Sequence, residues 1–115
     1  MELPAIIESA KSRPLSYDPR ADEWIFYDDV RLGKKKIVPL AELTPEQQRN
    51  LAIERQLRNA PTATAVLGPQ TYTNAQVAEE MRNETKLGKQ LLEADLKYLN
   101  FYLSGFPREA FDDGK

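Results

Sequence analysis

The stretch from Thr85 to Leu103, TKLGKQLLEADLKYLNFYL, has the longest clean helical period in this chain. At about 100° per residue, one apolar stripe forms on the helix and a second lies roughly 80° to 140° to its side. Together they cover about half of the surface, whereas a helix that packs on one neighbour needs only about 100°. We therefore predict two packing neighbours, either both within the chain or one of them in a partner. The first stripe contains Leu92, Leu96, Leu99 and Leu103, and the second contains Leu87, Leu91, Tyr98 and Tyr102.

Gly88 and Asp95 lie between the two stripes, one heptad apart. Glycine costs up to about 1 kcal/mol relative to alanine inside a helix, so we expect either close approach of another backbone or a tolerant first turn. Two interpretations of Asp95 remain open. Its carboxylate is bonded to a Tyr hydroxyl or an Arg at the edge of the buried face, or it pairs with a partner's cation or takes part in chemistry.

The composition describes a chain that can bury one core. Its 115 residues are 41% hydrophobic and 30% charged, which fits a single small domain over residues 1–115. No apolar run approaches the ~20 residues of a membrane-spanning helix. The N-terminus also lacks the basic region and apolar core of a secretory signal. We expect a cytoplasmic protein without a membrane partner.

The chain contains no Cys and no His. This excludes disulfides, thiolate nucleophiles, Ser-His-Asp triads and zinc sites with the usual ligands. Asp28 and Asp29 are adjacent carboxylates, but no calcium-loop spacing or further ligand cluster accompanies them. We therefore predict no catalytic residue, no metal site and no cofactor.

The basic residues are concentrated in the middle of the chain. Residues 30–58 sum to +4, whereas the whole chain has a net charge of −2. A solvated turn and an ordinary helix surface explain this pattern, and a phosphate-binding or acidic-partner patch is the alternative. The residues of that alternative patch are Lys34, Lys35, Lys36, Arg55 and Arg58.

The first half of the chain predicts short elements. Residues 3–11 have the period of a two-turn amphipathic helix, and an irregular lead continues to residue 22. The apolar runs 23–27 and 35–40 predict the two strands of a hairpin. Since an isolated hairpin is marginal, helices must cover it.

A helix-start signal follows at Thr44, with proline next and Gln47 to complete a capping box. We predict a helix to about Asn59, with a narrow apolar stripe through Ile53 and Leu57. Leu51 projects almost opposite that stripe. Arg49, Arg55 and Arg58 are expected to lie largely in solvent.

The segment between Arg58 and Glu79 has no charged residue. We expect an ordered loop anchored by Val66, Leu67 and Tyr72, although a third strand or a mobile linker also fits. Thr73 with Gln76 predicts a second capped helix to about Asn83, and Thr85 caps the long helix after a tight turn.

Residues 74–92 also have features of a degenerate helix-turn-helix. Ala78 supplies the small residue that the motif requires, and Met81 and Leu91 are apolar at its packing positions. Two positions depart from the pattern. Arg82 lies where the motif usually has its turn glycine, and Gly88 lies where the second helix usually has an aliphatic packing residue.

Residues 104–115 form a C-terminal tail after Gly105 and Pro107 end the long helix. Phe106 and Phe111 in this tail either pack on their own domain or are bound by a partner.

These patterns predict an α+β domain, with a short β-hairpin packed by three to four helices and the long C-terminal helix as its organising element. We expect a noncatalytic interaction or regulatory module that binds another protein or a second copy of itself. The alternative is nucleic-acid binding through residues 31–58 or the degenerate motif at 74–92. The predicted partner-binding residues are Tyr98, Tyr102, Asp95, Phe106 and Phe111.

Overall fold

The computed structural model describes residues 2–59, the backbone of residues 64–67, and residues 70–112, and its fold is α+β. Short 3-10 turns at Glu8–Ala10, Leu40–Glu42 and Arg108–Ala110 join the main elements. In chain order, the elements are β1 (Ser16–Asp18), β2 (Glu23–Ile25), α1 (Tyr27–Arg31), α2 (Pro45–Leu57), β3 (Thr64–Leu67), β4 (Gln70–Thr73), α3 (Asn74–Arg82) and α4 (Lys86–Leu103).

The strands form two separate antiparallel hairpins, β1 with β2 and β3 with β4. The predicted pairing of residues 23–27 with 35–40 is therefore wrong. β2 pairs with the preceding strand, and the chain enters α1 directly after it. The Asp29 carboxylate accepts a hydrogen bond from the Phe26 N–H at 3.0 Å, and this local bond favours a helical turn over continued strand.

The N-terminal lead lacks the predicted helix over residues 3–11, and only the 3-10 turn at Glu8–Ala10 forms there. A helix of two turns is marginal in water, and contacts with the body compete with it here. Leu3 and Ile6 pack against the core, and the Tyr27 hydroxyl donates to the Pro4 carbonyl at 2.9 Å. The lead is thus held by tertiary contacts.

Helix α2 begins as predicted, because the Thr44 hydroxyl accepts from the Gln47 N–H and the Gln47 side chain bonds back to Thr44. Its predicted narrow stripe is wrong. Leu51, Ala52 and Ile53 are all buried, and Leu57 is 45% exposed. The reason is that α2 lies between two apolar clusters, with Leu51 in one and the next two residues in the other.

The first cluster joins the N-terminal half of the chain to the end of α4, through residues such as Ile25, Leu51 and Leu99. The second lies between α2 and α3 and is built around Val77 and Met81. Helix α4 contacts both, because its N-terminal leucines pack partly on the second and its C-terminal leucines lie in the first. Two packing neighbours therefore exist within the chain.

The caps predicted at Thr73 and Thr85 are present, and they start α3 and α4. The turn between these helices brings Gly88 against the backbone of α3. A Cβ added at Gly88 would lie 1.9 Å from the Glu80 carbonyl oxygen. The expected close backbone approach is confirmed.

The C-terminal tail packs on its own chain as far as the structure describes it. Ile37 N–H donates to the Ala110 carbonyl, and Asp112 N–H donates to the Ile37 carbonyl, each at 2.8 Å. The side chains of Val66 and Leu67, two of the predicted anchors of the neutral segment, lie outside the described residues, as do residues 113–115.

We expect Gly88→Ala to destabilise the protein, although alanine is the better helix former by about 1 kcal/mol. The added methyl group would collide with the backbone of α3, and overpacking of this kind costs about 2 kcal/mol. Urea unfolding followed by circular dichroism measures the change. Ala94→Gly, at an exposed position of the same helix, is the control for propensity alone. A more stable Gly88→Ala variant would contradict the close approach.

Candidate protein-binding surface

The outward side of α4 carries aromatic residues that the described chain leaves uncovered. Tyr98 is 57% exposed and Phe101 is 80% exposed. Ala94, one turn earlier, is also exposed, while Leu87 and Leu91 are half-buried. These five residues follow one another at steps of four and three along the helix, so they lie in one line. We call this line the outer seam: Leu87, Leu91, Ala94, Tyr98 and Phe101.

Helix α3 covers only the beginning of the outer seam. Leu91 packs partly against the second apolar cluster. The end of the seam faces away from both clusters, because the buried side of α4 there is formed by Leu99 and Leu103. The uncovered apolar surface is therefore concentrated between Ala94 and Phe101.

Ile7 extends this surface beyond the helix. Its side chain is 71% exposed. Ile7, Arg13 and Tyr98 line the same shallow cavity of about 180 Å³. The N-terminal lead thus places an aliphatic side chain and a cation beside the outer seam.

Asp95 is held within the chain by Arg55. The guanidinium Nε lies 3.0 Å from Oδ2 of Asp95, and Nη1 donates to the Pro14 carbonyl at 2.9 Å. This confirms the interpretation of Asp95 as a carboxylate bonded to an Arg at the edge of the buried face. It also corrects the expected exposure of Arg55, which is 3% exposed. Neither residue is presented to a partner as a free charge.

Tyr102 and Phe106 attach the end of α4 to the rest of the chain. The Tyr102 hydroxyl donates to the Ala5 carbonyl at 3.1 Å, and burial raises its pKa to about 12. The Phe106 ring packs edge-on against Tyr102 and Tyr27. At 6% exposure, Phe106 has been placed in the core by these contacts, which corrects its assignment to a binding surface.

Phe111, the remaining predicted contact residue, is half-buried in the described tail. It lines an open pocket with Lys36 and Arg108, on residues distinct from those of the outer seam. Of the predicted partner-binding residues, Tyr98 alone lies on the seam.

The predicted phosphate-binding residues are distributed over different surroundings. Lys34 and Lys36 are exposed, and no ion pair of either is found among the described residues. Lys35 pairs with Glu23 at 3.0 Å and donates to the Trp24 carbonyl. Arg58 pairs with Glu54 and lies over the Phe26 ring at 5.2 Å. Arg55 is buried, so it is not presented at the surface with the other predicted phosphate-binding residues.

Acidic side chains do not gather into a metal-binding group within the described part of the chain. Asp28 instead pairs with Arg31 at 3.0 Å. Within the same part of the chain, no helix is long and apolar enough to cross a membrane.

Three residues of the surface were missed by sequence reasoning: Ala94, Phe101 and Ile7. The signal for Phe101 was available, because the alternating four- and three-residue steps from Leu87 end on it. No comparable signal existed for Ile7, since the expected helix would have turned it towards the body with its apolar neighbours.

Comparison of the chain with protein-family models, with curated proteins and with solved structures finds no match.

We expect Arg55→Met to lower the free energy of unfolding by about 3 kcal/mol, because it leaves Asp95 and the Pro14 carbonyl without their donor. Arg82→Met, which removes an exposed pair with Glu79, is the matched control and should cost less than about 1 kcal/mol. The double variant Arg55→Met/Asp95→Leu should recover part of the loss. Equal urea midpoints for the two single variants would contradict a structural role of this pair.

We expect the stabilising effect of Tyr102 to depend on pH at the alkaline end. The folded chain holds this proton more tightly, since the pKa is raised to about 12 from about 10. The associated stability is present below about pH 10 and is lost as the pH rises towards 12. The advantage of the wild type over Tyr102→Phe in urea unfolding should therefore shrink over this range. A difference in the free energy of unfolding between the two proteins that stays constant from pH 10 to pH 12 would contradict the predicted pH dependence.

Proposed function

We propose that this protein is a noncatalytic binding module that contacts another protein chain through the outer seam of α4 and the adjacent Ile7. The observation that carries the proposal is the exposure of Phe101 and Tyr98 on one line of a regular helix. Large aromatic side chains are enriched at the centres of protein interfaces, where they supply most of the binding free energy.

The anchoring of α4 supports this role. Gly88 contacts the backbone of α3, and Asp95 is held by buried Arg55. The Tyr102 hydroxyl also ties the last turn to the N-terminal lead. The seam residues are therefore presented by a helix fixed at several points. A preorganised surface loses less conformational entropy on binding, which favours affinity.

The residue types of the chain also favour binding over catalysis. Without His or Cys, general acid-base and nucleophilic chemistry would depend on carboxylates, amines and hydroxyls alone. Nucleic-acid binding through residues 31–58 has less support than protein binding. Lys35, Arg55 and Arg58 of that segment already pair with carboxylates of the chain. A phosphate of a nucleic-acid backbone would have to compete with these carboxylates.

The test is the double variant Tyr98→Ser/Phe101→Ser, compared with the control Leu32→Ser/Leu57→Ser. The control removes two exposed leucines from other elements. Affinity purification with quantitative mass spectrometry identifies proteins bound to the full chain, and sedimentation velocity over a range of concentrations measures self-association. We expect the seam variant to weaken association about thirtyfold, the effect of losing about 2 kcal/mol at a binding hot spot.

Urea unfolding should show that both double variants are folded, because they change exposed side chains. The proposal would be refuted by a chain that is monomeric throughout and retains the same proteins with the seam variant as with the control.

A further inference from the structure

The spacing of the outer seam is that of a helix that packs against another helix. Its steps of four, three, four and three residues are those of the a and d positions of a heptad repeat. From Leu87 to Phe101 the seam is about 21 Å long, or roughly four helical turns. The part that α3 leaves uncovered, from Ala94 to Phe101, is about 10 Å long, or roughly two turns, and a partner helix would contact the seam there.

The buried stripe of the same helix provides an internal comparison. Leu92, Leu96, Leu99 and Leu103 follow the same steps of four, three and four. The chain covers that stripe with its own elements, leaving Leu92 and Leu96 half-buried and the other two buried. α4 thus has two lines of helix-packing residues, and they differ in their C-terminal halves: Leu99 and Leu103 are buried, whereas Tyr98 and Phe101 are exposed.

The charges beside the outer seam are positive on both flanks. Lys97 is exposed and lies about 40° around the helix from Phe101. Arg13 lies beside Tyr98 on the other flank. Among the described residues, neither cation lies within ion-pair distance of a carboxylate, and Arg13 shares the field of Asp95 with Arg55, so this group keeps a net positive charge.

The nearby carboxylates do not cancel the positive charge on the two flanks of the outer seam. Asp95 is neutralised by Arg55, and Glu8 in the lead pairs with Lys11 at 3.1 Å. Glu93 lies on the Lys97 side but further around the helix, about 120° from the centre of the seam.

Building on the protein-binding function above, we propose that the partner of the outer seam is an amphipathic helix with acidic flanks. Its apolar residues recur at three- and four-residue steps, and its Asp or Glu side chains face Lys97 and Arg13. Charges in these flanking positions select the partner in helix pairs. A second copy of this chain would bring the same two cations together, so self-association through the seam is the competing outcome.

The probes are two synthetic peptides of four heptads with Leu at every a and d position. One has Glu at every e and g position and the other has Lys there. Like charges keep each peptide from pairing with itself. Fluorescence anisotropy of the labelled peptides at low salt measures their affinity for the full chain. We expect the acidic peptide to bind about fivefold more tightly than the basic one, with the preference declining as salt is added.

Three variants and two control variants locate the contact. Phe101→Ser should weaken the binding of the acidic peptide about tenfold or more, as expected for an aromatic hot-spot residue, while Leu32→Ser leaves its affinity unchanged. Ala94→Glu keeps every aromatic side chain and places a carboxylate at the middle of the seam, so it should also weaken the acidic peptide. Lys97→Glu should reduce the preference for the acidic peptide about threefold. Lys34→Glu changes the net charge equally and should leave it intact.

Equal affinity for the two peptides, binding that survives both seam variants, or a seam-dependent dimer of the wild type would overturn the proposal. The chain could associate with a protein through Tyr98 and Phe101 and yet show no preference between the two peptides. That result would contradict the acidic-helix proposal but not the binding function. Loss of both the peptide preference and every seam-dependent association contradicts the function itself.

Discussion

An ion pair between a buried guanidinium and a half-buried carboxylate joins parts of this protein that are distant in the sequence. Arg55 on α2 contacts Asp95 on α4 at 3.0 Å and also donates to the Pro14 carbonyl of the N-terminal lead. Such pairs have a large desolvation cost, so their main effect is on geometry. Leu51 and Leu99, one turn from Arg55 and Asp95 on the same sides of their helices, are fully buried. The pair thus helps to fix the rotation of α4 about its axis, and hence the direction of the outer seam.

That rotation divides the apolar residues of α4 between the interior and the surface. Leu99 and Leu103 enter the first cluster, and Gly88 allows α3 to approach without a side chain between the backbones. With this side occupied, Tyr98 and Phe101 face outward, although the residues that directly follow them, Leu99 and Tyr102, are buried and half-buried. On a helix whose apolar face is this broad, residue type alone does not place a side chain in the core. Its exposure depends on its angular position relative to the side of the helix that packs on the rest of the chain.

The electrostatic character of the surface also depends on folding. The basic middle of the sequence is broken up, because Lys35 pairs with Glu23 and Arg55 enters the interior. Conversely, Arg13 and Lys97 come from opposite ends of the chain and lie on the two flanks of the outer seam. The charge balance along the sequence therefore does not give the charge of the surface, since part of the basic segment is paired or buried, and the two cations beside the exposed aromatic residues are distant in the sequence.

The sequence by itself determined the α+β class, the starts of α2, α3 and α4, and the need of α4 for two neighbours. Thr44, Thr73 and Thr85 were identifiable because a cap is a hydrogen bond to a residue three positions away. Only the tertiary structure decided the partner of β2, the packing of the tail on Ile37, the burial of Arg55 and the exposure of Phe101. These features depend on contacts between segments far apart in the chain, and neither periodicity nor local composition specifies which distant segments meet.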